Sequence, residues 1–325
     1  MAKPQVIVIT GPTATGKSAL GGLLAKSMNG EVVSADSMQI YRYMDIGTAK
    51  PTLDERLSLP HHMIDIIPPW EDYSVARYVS DATLCIEGII RRGRLPIIVG
   101  GTGLYIDSLI SGRDFSGRSD SSLRRELEAE YNAIGGEAML LKLREFDPES
   151  AVKLHPNDKK RIVRAFEVFR ETNKPISQHD AETKTAPPRY EAIKIALTFS
   201  DRAKLYSRIN MRVDNMLRNG LPDEVRSLLD MGLPPESTAM QAIGYKEMVE
   251  FLLGNCSPDF ASDMIKMETR RYAKRQLTWL RRDTSIRWVF MDDDCGEKAA
   301  LMALSELFDD SSIIGSKIVF LAGTE

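Results

Sequence analysis

Gly11, Gly16, Lys17 and Ser18 stand in the spacing G-x-x-x-x-G-K-S, and the chemistry of that spacing is the binding of a phosphorylated group. The glycines let the backbone turn tightly, so that successive N–H groups of the loop and the N-terminus of the following helix can point at an oxyanion. Lys17 adds a full positive charge, and Ser18 offers a hydroxyl to Mg²⁺. The alternative is a glycine turn that merely links a strand to a helix. A β-branched run at residues 6–10 and a helical stretch at 19–28 flank the motif, which is the context a phosphate loop requires. The loop alone does not say which molecule it holds, since kinases, NTPases and enzymes that expel diphosphate all use it.

Asp36 is the second chemical candidate. It follows a predicted strand at 31–34, and in an open parallel sheet ligands collect beyond the carboxyl ends of the strands. The same residue would also serve as a turn or N-cap aspartate. A third junction, residues 100–105 (GGTGLY), follows the predicted strand 95–99. Right-handed crossovers bring all three junctions to one edge of the sheet, so residues 13–18, 36–39 and 100–105 are expected to face one crevice. Asp65 invites comparison with a metal-binding strand acid, but apolar neighbours on both sides make it ambiguous. His61-His62 lacks the helical spacing of a zinc pair and is expected in a loop. Arg208 and Arg212, four residues apart, share a helical face that suits an anion or solvent equally.

The elements that must position these groups read as α/β. Strands are expected at 6–10, 31–34, 63–67, 95–99 and 192–197, with helices at 19–28 and 75–92, the latter capped by Ser74 and closed by Gly93. From residue 112 to 185 no β-branched run occurs. Charged, Leu-punctuated segments at 122–131, 138–146 and 158–171 indicate an all-helical insertion, bounded by flexible stretches at 111–122 and 184–189. In its third helix Ile162, Phe166 and Phe169 form the expected inner stripe, with Lys160, Arg161 and Arg164 outside. After the fifth strand come helices at 205–219 and 223–231, stopped by Gly220 and Gly232, a small-residue turn at 241–245, and a helix at 246–253. The tail from 288 suggests a strand and a helix. The expected fold is a P-loop NTPase-like parallel sheet flanked by helices, with the core formed by 1–112 and 190–325 and the insertion by 113–189.

With 325 residues, 43% of them hydrophobic, the chain can bury a substantial core. No apolar run is long enough for a bilayer, and residues 1–4 lead straight into the first strand, so neither a membrane partner nor a signal peptide is expected. Cys85, Cys256 and Cys295 form no C-x-x-C pair, which argues against zinc or a disulfide framework and for a reducing cytoplasm. The net charge is only −3, but binding follows the local field. Lys153, Lys159, Lys160, Arg161 and Arg164 enclose a single acid, Asp158. The stretch 270–282 (RRYAKRQLTWLRR) interleaves basic and aromatic residues, suited to phosphates and stacked bases or, alternatively, to an amphipathic helix that buries Tyr272, Leu277 and Trp279. Two such clusters in an acidic chain favour a polyanionic partner.

GPTATGKS at 11–18, SADSMQIYRYMDIGTAKPT at 34–52, PHHMIDI at 60–66, VGGTGLY at 99–105, MQAIGYKE at 240–247 and the basic-aromatic stretch at 270–282 together resemble the bacterial tRNA dimethylallyltransferases. The resemblance runs in order through nearly the whole chain. It implies transfer of a dimethylallyl group from dimethylallyl diphosphate to N6 of adenosine 37, beside the anticodon of tRNAs reading codons that begin with U, with diphosphate released. By resemblance, Asp36 is the general base and Thr102 contacts the target adenosine. Gly11, Thr13, Ala14, Thr15, Gly16, Lys17, Ser18 and Arg212 hold the diphosphate, with Mg²⁺ at Ser18. Contacts to the tRNA anticodon stem-loop map to Asp36, Ser37, Met38, Gln39, Thr102, Arg124, Lys160, Arg161, Ile162, Val163 and Arg164, and to Gln241, Gly244 and Tyr245. A cytoplasmic monomer is expected.

Three alternatives stand beside it. An adenylate isopentenyltransferase acting on free nucleotides needs neither the insertion nor the basic-aromatic stretch. A small-molecule kinase requires ATP turnover. An RNA-binding module without catalysis has no use for the Asp36 carboxylate.

Overall fold

The computed structural model describes residues 3–112, 121–185 and 187–292. By internal contacts the chain divides into two compact units, Met1–Ile110 with Arg189–Glu325, and Ser111–Pro188. Cys295 and the expected tail helix lie outside the described residues, as do residues 113–120 of the first boundary stretch.

The first unit is built on six parallel strands: β1 (Gln5–Thr10), β2 (Gly30–Ser34), β3 (His61–His62), β4 (Leu95–Val99), β5 (Glu191–Thr198) and β6 (Arg287–Phe290), in the order β3-β2-β4-β1-β5-β6. The central strands read as continuous apolar runs because helices cover both faces. Ile7, Ile9, Ile97, Ile195 and Leu197 are fully buried against Leu20 and Leu24 of α1 (Lys17–Ser27). Each such side chain contributes roughly 1.5–3 kcal/mol of burial. Helix α3 (Val75–Arg91) begins as expected at Ser74, whose hydroxyl accepts from the Arg77 N–H.

The expected strand at 63–67 is absent. Pairing with β2 falls on His61 and His62, the two residues expected in a loop, and Met63 and Asp65 turn out of the sheet with φ of 63° and 56°. The segment is instead strapped to the turn after β2: Asp65 N–H donates to Gln39 O and Ile66 N–H to Ile40 O. Asp65 accepts from Lys50 Nζ at 2.6 Å and pairs with Arg56 Nη1 at 2.5 Å, so its carboxylate is structural. An unexpected short helix, α2 (Leu53–Ser58), supplies Arg56 and is closed at its start by a Thr52/Glu55 capping box. His62 Nε2 sits 2.6 Å from buried Glu31, which also binds Arg92 through two nitrogens. The hydrogen bond from Arg92, joined by that of His62, holds the Glu31 carboxyl down at about 2.

A helical layer completes this unit: α4 (Gly103–Ser111), α9 (Arg202–Arg218), α10 (Leu221–Asp230), α11 (Tyr245–Leu252) and α12 (Pro258–Leu280). Among the described residues no helix is long and apolar enough to cross a membrane.

The second unit contains α5 (Ser121–Phe146), α6 (Pro148–Lys153), α7 (Lys159–Thr172) and α8 (Ile176–Thr185). Gly135, at φ 83°, breaks α5 into the two expected segments. Leu127, Met139, Leu143, Ile162 and Val163 form its core, and Phe146 stacks on Phe169 at 3.9 Å.

Candidate active site

The phosphate loop leaves β1 at Gly11, whose φ of 141° and whose missing Cβ, 2.4 Å from Leu197 O if present, admit no larger residue. Ala14 takes φ 67°, and Gly16, at φ 86°, is the N-cap of α1. Thr15 Oγ1 donates to Pro12 O at 2.9 Å, and Lys17 Nζ donates to the same carbonyl at 3.2 Å. Arg208 Nε donates to Ala14 O at 3.0 Å. Arg208 thus braces the loop from outside, while Arg212 reaches the cavity that the loop opens into. The result is a curved backbone ending on a helix N-terminus, a ready anion site.

That cavity, of about 280 Å³, is lined by Lys17, Ser18, Asp36 and Arg212 among others. Burial, and after it the charge of Arg212, lower the Lys17 ammonium to about 8 against the opposing pull of Asp36. Arg212 is likewise lowered by burial and supported by Asp36. Two partly desolvated cations held near one carboxylate are primed for an incoming polyanion. Apolar Val213, Met216 and Ile265 also line the cavity, so the site offers apolar as well as charged surface.

Asp36 plays both of the parts that its position suggested. Its Oδ1 accepts the Met38 N–H at 2.8 Å, fixing the turn after β2. Its other oxygen accepts no hydrogen bond from the described residues and is available to a proton. Thr102 lies behind this turn, outside the cavity wall, with its Oγ1 accepting the Ser37 N–H at 3.1 Å. Ser37, Met38 and Gln39 line the cavity. Gln39 accepts from Ser34 Oγ at 2.9 Å and reaches Thr48 O and Ala49 O, so its amide is committed to the wall.

Another part of the lining depends on a residue with no spacing signature. Glu224 of α10 accepts the N–H groups of Asp45, Ile46 and Gly47 at 2.7–3.1 Å and the Tyr245 hydroxyl at 2.6 Å. Tyr245 is buried against Gly47, its ring in the wall and its hydroxyl already spent. Gln241 lines the cavity from the surface, and Gly244 stands outside it with its N–H on Glu247. Tyr272 and Gln276 of α12 line the cavity as well. Tyr272 is therefore a site residue rather than plain core, and burial pushes its hydroxyl up to about 12. Trp279 Nε1 donates to Asp107 at 2.7 Å, while Lys274, Arg275, Arg281 and Arg282 are exposed.

In the helical unit, Lys160 and Arg161 are exposed and Arg164 is half-buried. Arg164 and Arg124 both pair with the buried carboxylate of Glu167, at 3.3 and 3.5 Å, which gathers two guanidinium groups beside the α7 surface. Ile162 and Val163 are fully buried. Of the stretch 160–164 expected among the RNA contacts, these two therefore give their side chains to the core.

The donor set fits a magnesium ion bound mainly by phosphate oxygens and water. Ser18 offers a hard hydroxyl oxygen in the cavity wall, and among the described residues no cluster of three or more His, Cys, Asp or Glu exists to cage a metal.

Comparison with known proteins agrees with this geometry. The IPP transferase family profile matches residues 39–283 and an isopentenyl transferase profile matches 4–64. A tRNA dimethylallyltransferase of Thermoanaerobacter sp. (strain X514) is 50% identical over 291 residues, 89% of this chain and 92% of its own. One from Acetivibrio thermocellus is 50% identical over 296 residues, 90% of this chain and 94% of its own. The crystal structure of the tRNA isopentenylpyrophosphate transferase of Bacillus halodurans superposes with a TM-score of 0.69 at 42% identity, covering 98% of both chains. A eukaryotic dimethylallyltransferase acting on tRNA superposes with a TM-score of 0.80 at 31% identity, covering 93% of this chain and 79% of the other. A phosphate loop opening onto a carboxylate, within a match of this length and identity, makes the chain a member of the bacterial tRNA dimethylallyltransferase (IPP transferase) family.

Proposed function

We propose that the protein transfers the dimethylallyl group of dimethylallyl diphosphate to N6 of adenosine 37 in the anticodon loop of tRNA. The observation that carries this reading is the Asp36 carboxylate, with one oxygen uncommitted, in the same cavity as Lys17 and Ser18 of the phosphate loop. In the reaction N6 forms a bond to C1 of the allyl group, the C1–O bond to diphosphate breaks with its electron pair, and a proton leaves N6. An exocyclic adenine amine is a weak nucleophile because its lone pair is shared with the ring. Asp36 is placed to accept that proton as the bond forms. The loop amides beyond Thr13, together with Lys17 and Arg212, hold the diphosphate and stabilise the charge it gains on departure. Ser18 would hold a Mg²⁺ ion, which would supply further positive charge to the leaving group. Thr102 acts by holding the Ser37 N–H, and so the turn that carries Asp36.

The adenosine is single-stranded in its loop, so everting it costs only about a few kcal/mol. Lys160, Arg161, Arg164 and Arg124 of the helical unit supply phosphate contacts, as do the exposed basic residues of α12. Replacing Lys160, Arg161 and Arg164 together with alanine is expected to lower the slope of log affinity against log salt by about two to three, measured by tRNA binding at several ionic strengths. An unchanged slope would return these residues to ordinary surface charge. We place the activity in the cytoplasm, in a monomer.

The deciding experiment is mass spectrometry of an unmodified anticodon stem-loop incubated with protein, Mg²⁺ and dimethylallyl diphosphate. One adenosine gaining C5H8 is the expected product. No gain with the allylic donor, or phosphoryl transfer when ATP replaces it, overturns the proposal.

A further inference from the structure

We propose that Gln276 is a positioning residue that fixes the gap between the diphosphate cradle and the acceptor side of the site; the proposal rests on the prenyl-transfer reading above. The two sides of the reaction are carried by strands that do not touch. The cradle follows β1 and the Asp36 turn follows β2, and β4 lies between them in the sheet. Backbone bonds tie the end of β4 to Ile9 and Ala35 through the Gly100 and Thr102 N–H groups, but among the described residues the backbone of residues 12–15 makes no such bond to this junction.

Gln276 supplies that link. Its side chain is buried, 6% exposed, and its amide is used in both senses: Oε1 accepts the N–H of Thr13 in the phosphate loop at 3.0 Å, and Nε2 donates to the carbonyl of Gly101, just beyond β4, at 3.0 Å. Only one orientation of the carboxamide satisfies both partners. The fit is close, because a Cβ on Gly101 would stand 2.2 Å from Nε2. One turn earlier on α12, Tyr272 lines the same cavity, and Thr102 follows Gly101 directly in the chain. Thr102 in turn holds the Ser37 N–H. A line of contacts therefore runs from Thr13 through Gln276 to Gly101, and from its chain neighbour Thr102 to the turn that carries Asp36.

Such a line bears on rate more than on binding. Bond formation requires N6 and C1 to approach to about 3–3.5 Å in line with the departing oxygen, and a misplacement of about 1 Å costs on the order of a hundredfold. Each substrate retains its own contacts when the line is cut, while their mutual placement loosens.

The test compares wild type, Gln276→Leu and Gln276→Glu, with kcat, KM for each substrate and thermal unfolding measured from pH 6 to 8. Gln276→Leu removes both hydrogen bonds at similar volume, and its kcat is expected to fall about 10- to 100-fold with each KM within about threefold. Glutamate can accept from Thr13 in either state but can donate to Gly101 O only when protonated. The ratio of Gln276→Glu to wild-type kcat is therefore expected to fall about tenfold or more as pH rises over this range. Taking the ratio removes the titration of Asp36, Lys17, Arg212 and Tyr272, which wild type shares. A Gln276→Leu protein with unchanged kcat and a lowered unfolding temperature makes Gln276 structural only and overturns the proposal. If that variant does not fold, a flat Gln276→Glu ratio overturns it instead. If wild type itself forms no prenylated product, the transfer reading falls and the bridge falls with it.

Discussion

Replacing Asp36 with asparagine is expected to lower single-turnover prenyl transfer by roughly two orders of magnitude or more, while tRNA affinity stays within about threefold. Asparagine is the sharper substitution because its carbonyl oxygen can still accept the Met38 N–H, the bond that holds the turn. The change then removes the proton acceptor and the negative charge without releasing Ser37, Met38 and Gln39. Asp36→Ala is expected to lose as much activity and, in addition, to weaken tRNA binding, because the turn relaxes. Rapid-quench measurement with a stem-loop substrate separates the chemical step from product release. A rate near wild type for Asp36→Asn would mean that the N6 proton leaves to solvent, and that the carboxylate serves only to balance Lys17 and Arg212.

How much of this site can be read from the sequence depends on the range of the interactions that build it. The phosphate loop is local: Gly11 and Gly16 supply positive φ, Lys17 and Ser18 the chemistry, and the flanking strand and helix the direction. Asp36 is legible for a related reason, since it follows a strand whose apolar run is unmistakable. The segment 63–67 shows the opposite case. Its apolar residues fit a strand, but Lys50 and Arg56 draw Asp65 into ion pairs and the backbone bonds to residues 39 and 40. No pattern within the segment encodes those partners. Ile162 and Val163 belong to a basic run whose charged members face solvent, yet on a helix two adjacent positions of that run must face inward. Glu224 and Gln276 are the furthest from recognition. The three backbone partners of Glu224 stand 177–179 residues away and the two partners of Gln276 stand 175 and 263 away, and each looks in sequence like an ordinary polar residue on an amphipathic helix. Tyr272 carries an aromatic signal, but one that buried packing explains equally until the cavity is seen.

The second large effect concerns Lys17 and carries a sign that distinguishes it from general loss of fold. In the free protein burial brings its ammonium down to about 8, so the charged form that attracts diphosphate is complete below that pH and is lost above it. A bound diphosphate places negative charge beside the amine and raises its pKa again. Binding above pH 8 therefore requires uptake of a proton, and log kcat/KM for the allylic donor is expected to decline there with a slope approaching −1. Lys17→Met is expected to lower kcat/KM for the donor by about 10²–10³-fold at pH 7 and to abolish the decline, because no amine remains to titrate. Lys17→Arg keeps the charge over the whole range; it should retain part of the activity, limited by the fit of a planar guanidinium in a space shaped for an ammonium, and should also lack the decline. Should the alkaline limb persist in Lys17→Met, it belongs to another group, and the cation that meets the donor is then chiefly Arg212, whose removal would have to produce the larger loss.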